Sequence, residues 1–335
     1  MKFAVKLLIF VGLLAAMAVT LLIFFEFDVA QRKPGETFVV MRGENALQIA
    51  DDLKAEGYIG SKLLFLVKVA RGGHLRELKA GEYDLRGQGT DEIINKLVSA
   101  KTVATDSTII PGWDIRDIAA SLAKGKKISS DDFYAAVSAS ATVKLKSSYP
   151  FLDSIPEGGD LEGFLAPDTY QLAARSDAAS FVTMALDNFG KELTPQMRQD
   201  IKAQKKSVFE IVTMASMLEK EVKTLEDKKI VSGILWKRLE AGMPLQVDST
   251  LLYYKVPGAD GGEVNKSADS RYNTYRFAGL PAGPICSPGI ESIEAAIYPV
   301  KSDYWYYLNA ADGKTIFSRN YGEHLINKAK YIDNI

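Results

Sequence analysis

The chain has 335 residues, enough for two folded domains, and its 47% hydrophobic and 25% charged content is globular rather than disordered or collagen-like. A formal net charge of -1 leaves no basic excess to neutralise phosphates, which argues against nucleic acid as a partner. Cys286 is the only cysteine and His74 and His324 the only histidines, so no intrachain disulfide can form, and a cysteine-based metal site or a Ser-His-Asp triad has little to be built from.

Leu7 to Phe25 carries no charge, and as a helix it would run about 28 Å, close to the thickness of a bilayer core. Lys2 and Lys6 precede it and Glu26 and Asp28 follow. The positive-inside tendency therefore places the N-terminus in the cytoplasm and the rest of the chain across the membrane. Residues 1–30 read as a cytoplasmic tip and single-pass anchor. Ala16-Met17-Ala18 resembles a signal-peptide cleavage site, but it lies inside the apolar run, and cutting there would leave Leu-Leu-Ile-Phe-Phe exposed near a new terminus. Residues 31–36, with Pro34-Gly35, form a tether.

Residues 37–105 read as a small α+β module. Thr37 to Met41 is a β-rich run. A helix follows with Leu47, Ile49, Ala50 and Leu53 at core spacing, and Gly57 stops it. A second helix fits Lys62 to Ala70, a strand fits Ala80 to Gly87, and Thr90 caps a third helix through Ser99. This order resembles LysM-like modules, which bind N-acetylglucosamine polymers; a plain structural spacer is the alternative.

Residues 106–335 form the larger unit. A strand turns at Pro111-Gly112 into a helix with Ile115, Ile118, Ala119 and Leu122 on one side, and Ser129 or Ser130 caps the next helix. Leu161 to Leu172 reads as a loop in which Gly163 and Pro167 interrupt regular structure around Glu162, Asp168 and Tyr170. Ser207 to Val222 is the central helix: Val208, Ile211, Val212, Ala215, Leu218 and Val222 make an apolar stripe, and Glu219 falls inside it. Lys220 and Glu221 are turned about 100° and 200° further round, towards water. Apolar surroundings favour the protonated carboxyl, the form a general acid needs; an edge-of-core Glu paired to a lysine is the bland alternative.

Asp227 to Glu240 reads as a helix ended by Gly242, and Leu245 to Tyr254 as a strand with Gln246, Asp248 and Thr250 on one face. Ser270 to Gly289 is a Gly/Pro-dense segment carrying Tyr272, Asn273, Tyr275 and Arg276, a mixture of rings, amide and hydroxyls suited to sugars or equally to rigid surface loops. A short helix from Glu291 to Ile297, a strand at Tyr304 to Asn309 and a helix from Asn320 to Tyr331 complete the chain.

Three blocks, LEGFLAPDTY at 161–170, ASMLEKE at 215–221 and RYNTYRFAGLPAGPICSPG at 271–289, with LQVDST at 245–250, resemble the MltG/YceG family of endolytic murein transglycosylases. Ala166, Ala282 and Ser287 stand where an aromatic residue, Pro and Asn are common in that pattern.

The resemblance implies an α+β catalytic domain behind one transmembrane helix and a LysM-like module. It also implies a periplasm-facing lyase that cuts nascent peptidoglycan strands between MurNAc and GlcNAc, leaves 1,6-anhydroMurNAc ends and terminates elongation at the cell inner membrane. Glu219 takes the catalytic position, with Gln246, Asp248, Tyr272, Asn273 and Tyr275 around the cleft as glycan-binding residues and Glu221 structural. No cofactor or metal is demanded, and cell-wall synthases come into view as partners alongside the glycan and the membrane. The competing readings are a hydrolytic muramidase, in which Glu162, Asp168 or Asp248 supplies a second carboxylate, and a non-catalytic membrane-anchored glycan-binding scaffold.

Overall fold

The computed structural model describes residues 37–41, 43–99, 105–125, 128–172, 176–254 and 266–332. The anchor expected at 1–30 and the tether expected at 31–36 lie outside them. Among the described residues no helix is long and apolar enough to cross a membrane. The chain divides into two compact units, Met1–Thr105 with Gln171–Arg175, and Asp106–Tyr170 with Ser176–Ile335.

In the first unit, β1 (Phe38–Val40) pairs antiparallel with β2 (Gly81–Tyr83), Phe38 facing Tyr83 and Val40 facing Gly81. Between them lie α1 (Ala46–Ala55) and α2 (Lys62–Arg71), and α3 (Thr90–Ser99) follows. A capping box opens α1: the Asn45 side chain accepts from the Leu47 and Gln48 amides, and the Gln48 side chain returns to the Asn45 amide. Ile49, Ala50, Leu53, Phe65, Val69, Ile93 and Leu97 meet Phe38 and Tyr83 in one core.

The second unit is mostly helical. β3 (Thr105–Thr108) and β4 (Thr169–Leu172), a two-stranded sheet whose residues 106–108 and 169–170 fall in this unit, are separated in sequence by α4 (Ile115–Lys124), α5 (Ser130–Val137), α6 (Ala139–Leu145) and a short turn of 3₁₀ helix at Pro150–Leu152. Then come α7 (Ala178–Glu192), α8 (Pro195–Ala203), α9 (Val208–Glu221), α10 (Leu225–Glu240), α11 (Asp248–Tyr253) and α12 (Ile290–Ile297). The antiparallel hairpin β5 (Tyr306–Asn309) and β6 (Thr315–Ser318) leads into α13 (Tyr321–Tyr331).

The centre of this unit is α9, which packs against α8, α10, α11 and α12. It is capped at Ser207 by a box with Glu210, and it buries every residue from Ile211 to Leu218. A helix surrounded on all sides in this way is buried all round rather than along one stripe.

Two sequence expectations are corrected. The stretch read as a strand at 245–254 is instead α11, beginning at Asp248. Gln246 takes a left-handed backbone, φ 58°, so the chain cannot run straight through it as a strand, and Thr250 and Leu251 turn inward at adjacent helical positions. The part of the 161–172 loop from Thr169 onward is strand β4.

Candidate active site

Glu219 lies in the last turn of α9 with its side chain 13% exposed. One of its oxygens, Oε2, accepts from three donors: the Ser292 hydroxyl at 2.5 Å, the Gly289 amide at 3.1 Å and the Lys228 ammonium at 3.3 Å. Ser292 is on the first turn of α12, Gly289 is its N-cap, and Lys228 is in the first turn of α10. Among the described residues no hydrogen bond engages Oε1. The sequence placed Glu219 in an apolar stripe. Its backbone is in that stripe, but its carboxyl reaches past the apolar layer into a polar corner where two helix starts converge.

A turn covers the same carboxylate. Gly112, at φ +87°, donates to the Ser287 carbonyl at 2.8 Å, and the Ser287 amide donates to the Trp113 carbonyl at 2.7 Å. A Cβ at Gly112 would come within 3.9 Å of Glu219 Cγ and 3.7 Å of the Lys220 Nζ. The 285–289 segment is pinned to α9 from below: the Ile285 amide donates to the Ser216 hydroxyl at 3.0 Å, and the buried Cys286 Sγ donates to the Ser216 carbonyl at 3.3 Å. Burial pushes the Cys286 thiol well above its ordinary pKa.

Two further polar clusters flank α9 within the second unit. In one, the buried Glu162 accepts at Oε2 from the Ile115 amide and the Tyr253 hydroxyl, both at 3.1 Å. The Tyr253 ring lies 5.1 Å from that of Tyr272, which stacks with Tyr254 at 6.4 Å, and the Arg116 guanidinium sits 4.6 Å from the Tyr253 ring centre. In the other, the exposed Asp248 accepts from the Tyr275 hydroxyl at 2.5 Å, and the Gln246 amide donates to the Thr274 carbonyl at 3.1 Å. Burial and the Asp248 carboxylate together push the Tyr275 phenol well up, while burial takes Tyr272 to about 12. Asn273, fully buried, sits between the clusters; its amide nitrogen donates to the Lys266 and Ala268 carbonyls at 3.0 and 2.8 Å and its oxygen accepts from the Tyr275 amide at 3.1 Å.

The sequence profile of the YceG-like family matches residues 38–330. The chain belongs to the YceG-like family. A protein of Bacillus subtilis (strain 168) named endolytic murein transglycosylase is 32% identical over 305 residues, covering 87% of this chain and 83% of that one. One of the same name from Streptococcus pneumoniae (strain D39) is 28% identical over 331 residues, 91% of this chain but 60% of the longer relative. A 2.6 Å crystal structure of a yceG-like protein from Listeria monocytogenes aligns with a TM-score of 0.60 and 31% identity, over 88% of this chain and 99% of that one. The α+β fold is thus the fold of this family.

Against this family background, Gln246, Asp248 and Tyr275 stand together, Tyr272 stands with Tyr253 and Tyr254, and Asn273 is occupied in shaping the loop between them. Glu221 departs from the expectation that it faces water. It accepts from the Tyr307 hydroxyl at 3.2 Å, and burial raises its pKa, because β5 closes over that side of α9. Sequence reading missed Lys228, Ser292 and the turn at Pro111-Gly112 as neighbours of Glu219. For Lys228 a signal exists: it shares a helix face with Val231, Ser232 and Leu235, all buried, and a lysine on such a face needs a partner.

Proposed function

We propose that the chain is a membrane-anchored endolytic lytic transglycosylase, with Glu219 as its acid and base, that cuts peptidoglycan strands between MurNAc and GlcNAc and leaves 1,6-anhydroMurNAc ends. The observation that carries this reading is the asymmetry at Glu219: every donor among the described residues engages Oε2, which leaves Oε1 for a glycosidic oxygen. The proton passes from the carboxyl to the leaving O4 as the bond from C1 to O4 breaks. The muramoyl C6 hydroxyl closes on C1 and returns its proton to the carboxylate. The nucleophile belongs to the substrate, so a second carboxylate is not required.

The other acids give no support to a paired mechanism. Asp168 accepts from the Thr169 amide at 2.7 Å and the Asn188 side chain at 3.1 Å, Asp248 is bonded to Tyr275, and Glu162 is buried. Gln246, Asp248, Tyr272 and Tyr275 line the approach as glycan contacts, and Asn273 contributes by holding the loop. The first unit, with its strand, two helices and strand, gives the glycan a second hold in the manner of a LysM module. Residues 1–30 anchor the enzyme in the inner membrane with the catalytic unit on the periplasmic side, within reach of cell-wall synthases. Endolytic murein transglycosylase is also the name carried by the Bacillus and pneumococcal relatives.

The test is mass spectrometry of the fragments that the full chain releases from sacculi. The expected result is anhydro-ended internal fragments, reduced by about a thousandfold or more in Glu219→Gln. Reducing ends formed from water, or equal cutting by the variant, would overturn the reading.

A further inference from the structure

Glu162 has no role in the chemistry above, yet it sits where three segments of the second unit cross. Its Oε2 takes the Ile115 amide at the start of α4 and the Tyr253 hydroxyl from α11, while its own amide donates to Asp160 at 3.0 Å. Oε1 is buried and has no partner among the described residues. The next residue, Gly163, is wedged against Pro284 and Val212, so the carboxyl has little freedom to move.

We propose that Glu162 is a positioning residue for glycan cleavage: its carboxyl ties the start of α4, and with it the Pro111-Gly112 turn beside Glu219, to Tyr253, and so fixes the Tyr253, Tyr272 and Tyr254 rings as the wall of a saccharide subsite. Arg116 braces that wall, with its guanidinium over Tyr253 and donating to the Tyr253 carbonyl at 3.0 Å. Tyr254, 44% exposed, is the face left open to a sugar, whose CH surface stacks on an aromatic ring. The inference rests on the reading of Tyr272 as a glycan contact.

The charge state of Glu162 supports it. The groups that act on its carboxyl are Asp114 and Asp160, the Ile115 amide and the Tyr253 hydroxyl. Arg116, Tyr272 and Cys286 lie in the same field, and the Arg116 charge is taken up by Asp114. Burial, then the two aspartates, lift Glu162 to about 8 against the pull of its two donors. Near neutrality it is therefore an uncharged acid. Both donors point at Oε2, so its proton belongs on Oε1. Above about pH 8 it ionises: the two bonds at Oε2 strengthen, but the charge on a buried Oε1 with no donor among the described residues, beside Asp114 and Asp160, is relieved only when the junction opens to water.

The test uses the full chain in detergent and linear, uncrosslinked peptidoglycan strands. It reads kcat/KM for anhydro-end release across pH, and binding of the same strands in a Glu219→Gln background. Binding in the Glu219→Gln background, where the acid itself no longer titrates, should weaken about tenfold between roughly pH 7 and pH 9. Glu162→Gln, uncharged at every pH, should keep neutral activity within about threefold and lose that alkaline limb. Tyr253→Phe removes a donor that favours the ionised form, so its limb should move to higher pH with KM raised about fivefold. An unchanged limb in Glu162→Gln, or activity as low as that of Glu219→Gln, overturns the proposal. Should Glu162→Gln not fold, an unmoved limb in Tyr253→Phe overturns it instead. If the wild type forms no anhydro ends at any pH, the transglycosylase reading fails on its own, and the binding series still decides Glu162: binding independent of pH counts against it.

Discussion

The carboxylate of Glu219 is held by one oxygen, and the three donors that hold it come from different places: a helix hydroxyl, a helix N-cap amide and a lysine of a second helix. A carboxylate gripped in this way keeps one orientation, so its free oxygen presents in a fixed direction. Ser292→Ala removes the shortest contact. It should lower kcat about ten- to a hundredfold with KM within about twofold, as measured by steady-state release of anhydro ends. Lys228→Met keeps the apolar stem and removes the charge, and a similar loss is expected. Helical phase set Glu219 beside the apolar stripe, but it did not separate that acid from Glu221, which β5 covers. It could not disclose Ser292 or Gly289, since they meet the acid across about seventy residues of chain and nothing in local pattern records a contact at that range.

Among the elements, the segment around Gly163 is tightly constrained. Its backbone is left-handed, φ +82°, and an added Cβ would lie 2.5 Å from the Cβ of Pro284. Gly163→Ala combines a backbone penalty with a clash against a rigid ring, and it should destabilise the second unit by about 2–4 kcal/mol, read as a lower denaturation midpoint. The helices with clear caps or stripes, α1, α4 and α5, follow from sequence because propensity, capping and period agree, whereas α9 is buried all round and not only along the stripe read for it. The strand expected at 245–254 fails for a physical reason: alternation over so few residues also fits a short helix, and the left-handed turn at Gln246 is set by Thr274 and Arg238, which bond its amide and side chain from elsewhere in the chain. The loop after Leu161 was legible as irregular from Gly163 and Pro167, but its strand end was not, because β4 pairs only with a strand some sixty residues earlier.

At the scale of the whole molecule, the chain divides into two units, and the sequence carries an apolar run ahead of the described residues. The family and the α+β class were accessible because the characteristic blocks keep their order along the chain. If residues 1–30 act only as an anchor, a chain beginning at Thr37 should partition into the soluble fraction and still cut glycan strands, whereas the full chain should sediment with membranes. Fractionation followed by an activity assay on each fraction checks both halves of that expectation.

Cys286, the chain's one thiol, hands its proton to a backbone carbonyl of the acid-bearing helix from within the strip that also supplies the Gly289 amide. A maleimide can reach that sulfur only when the strip lifts away. The alkylation rate of the native enzyme is therefore a clock for how often its catalytic corner comes apart, and it can be read without adding any foreign label site.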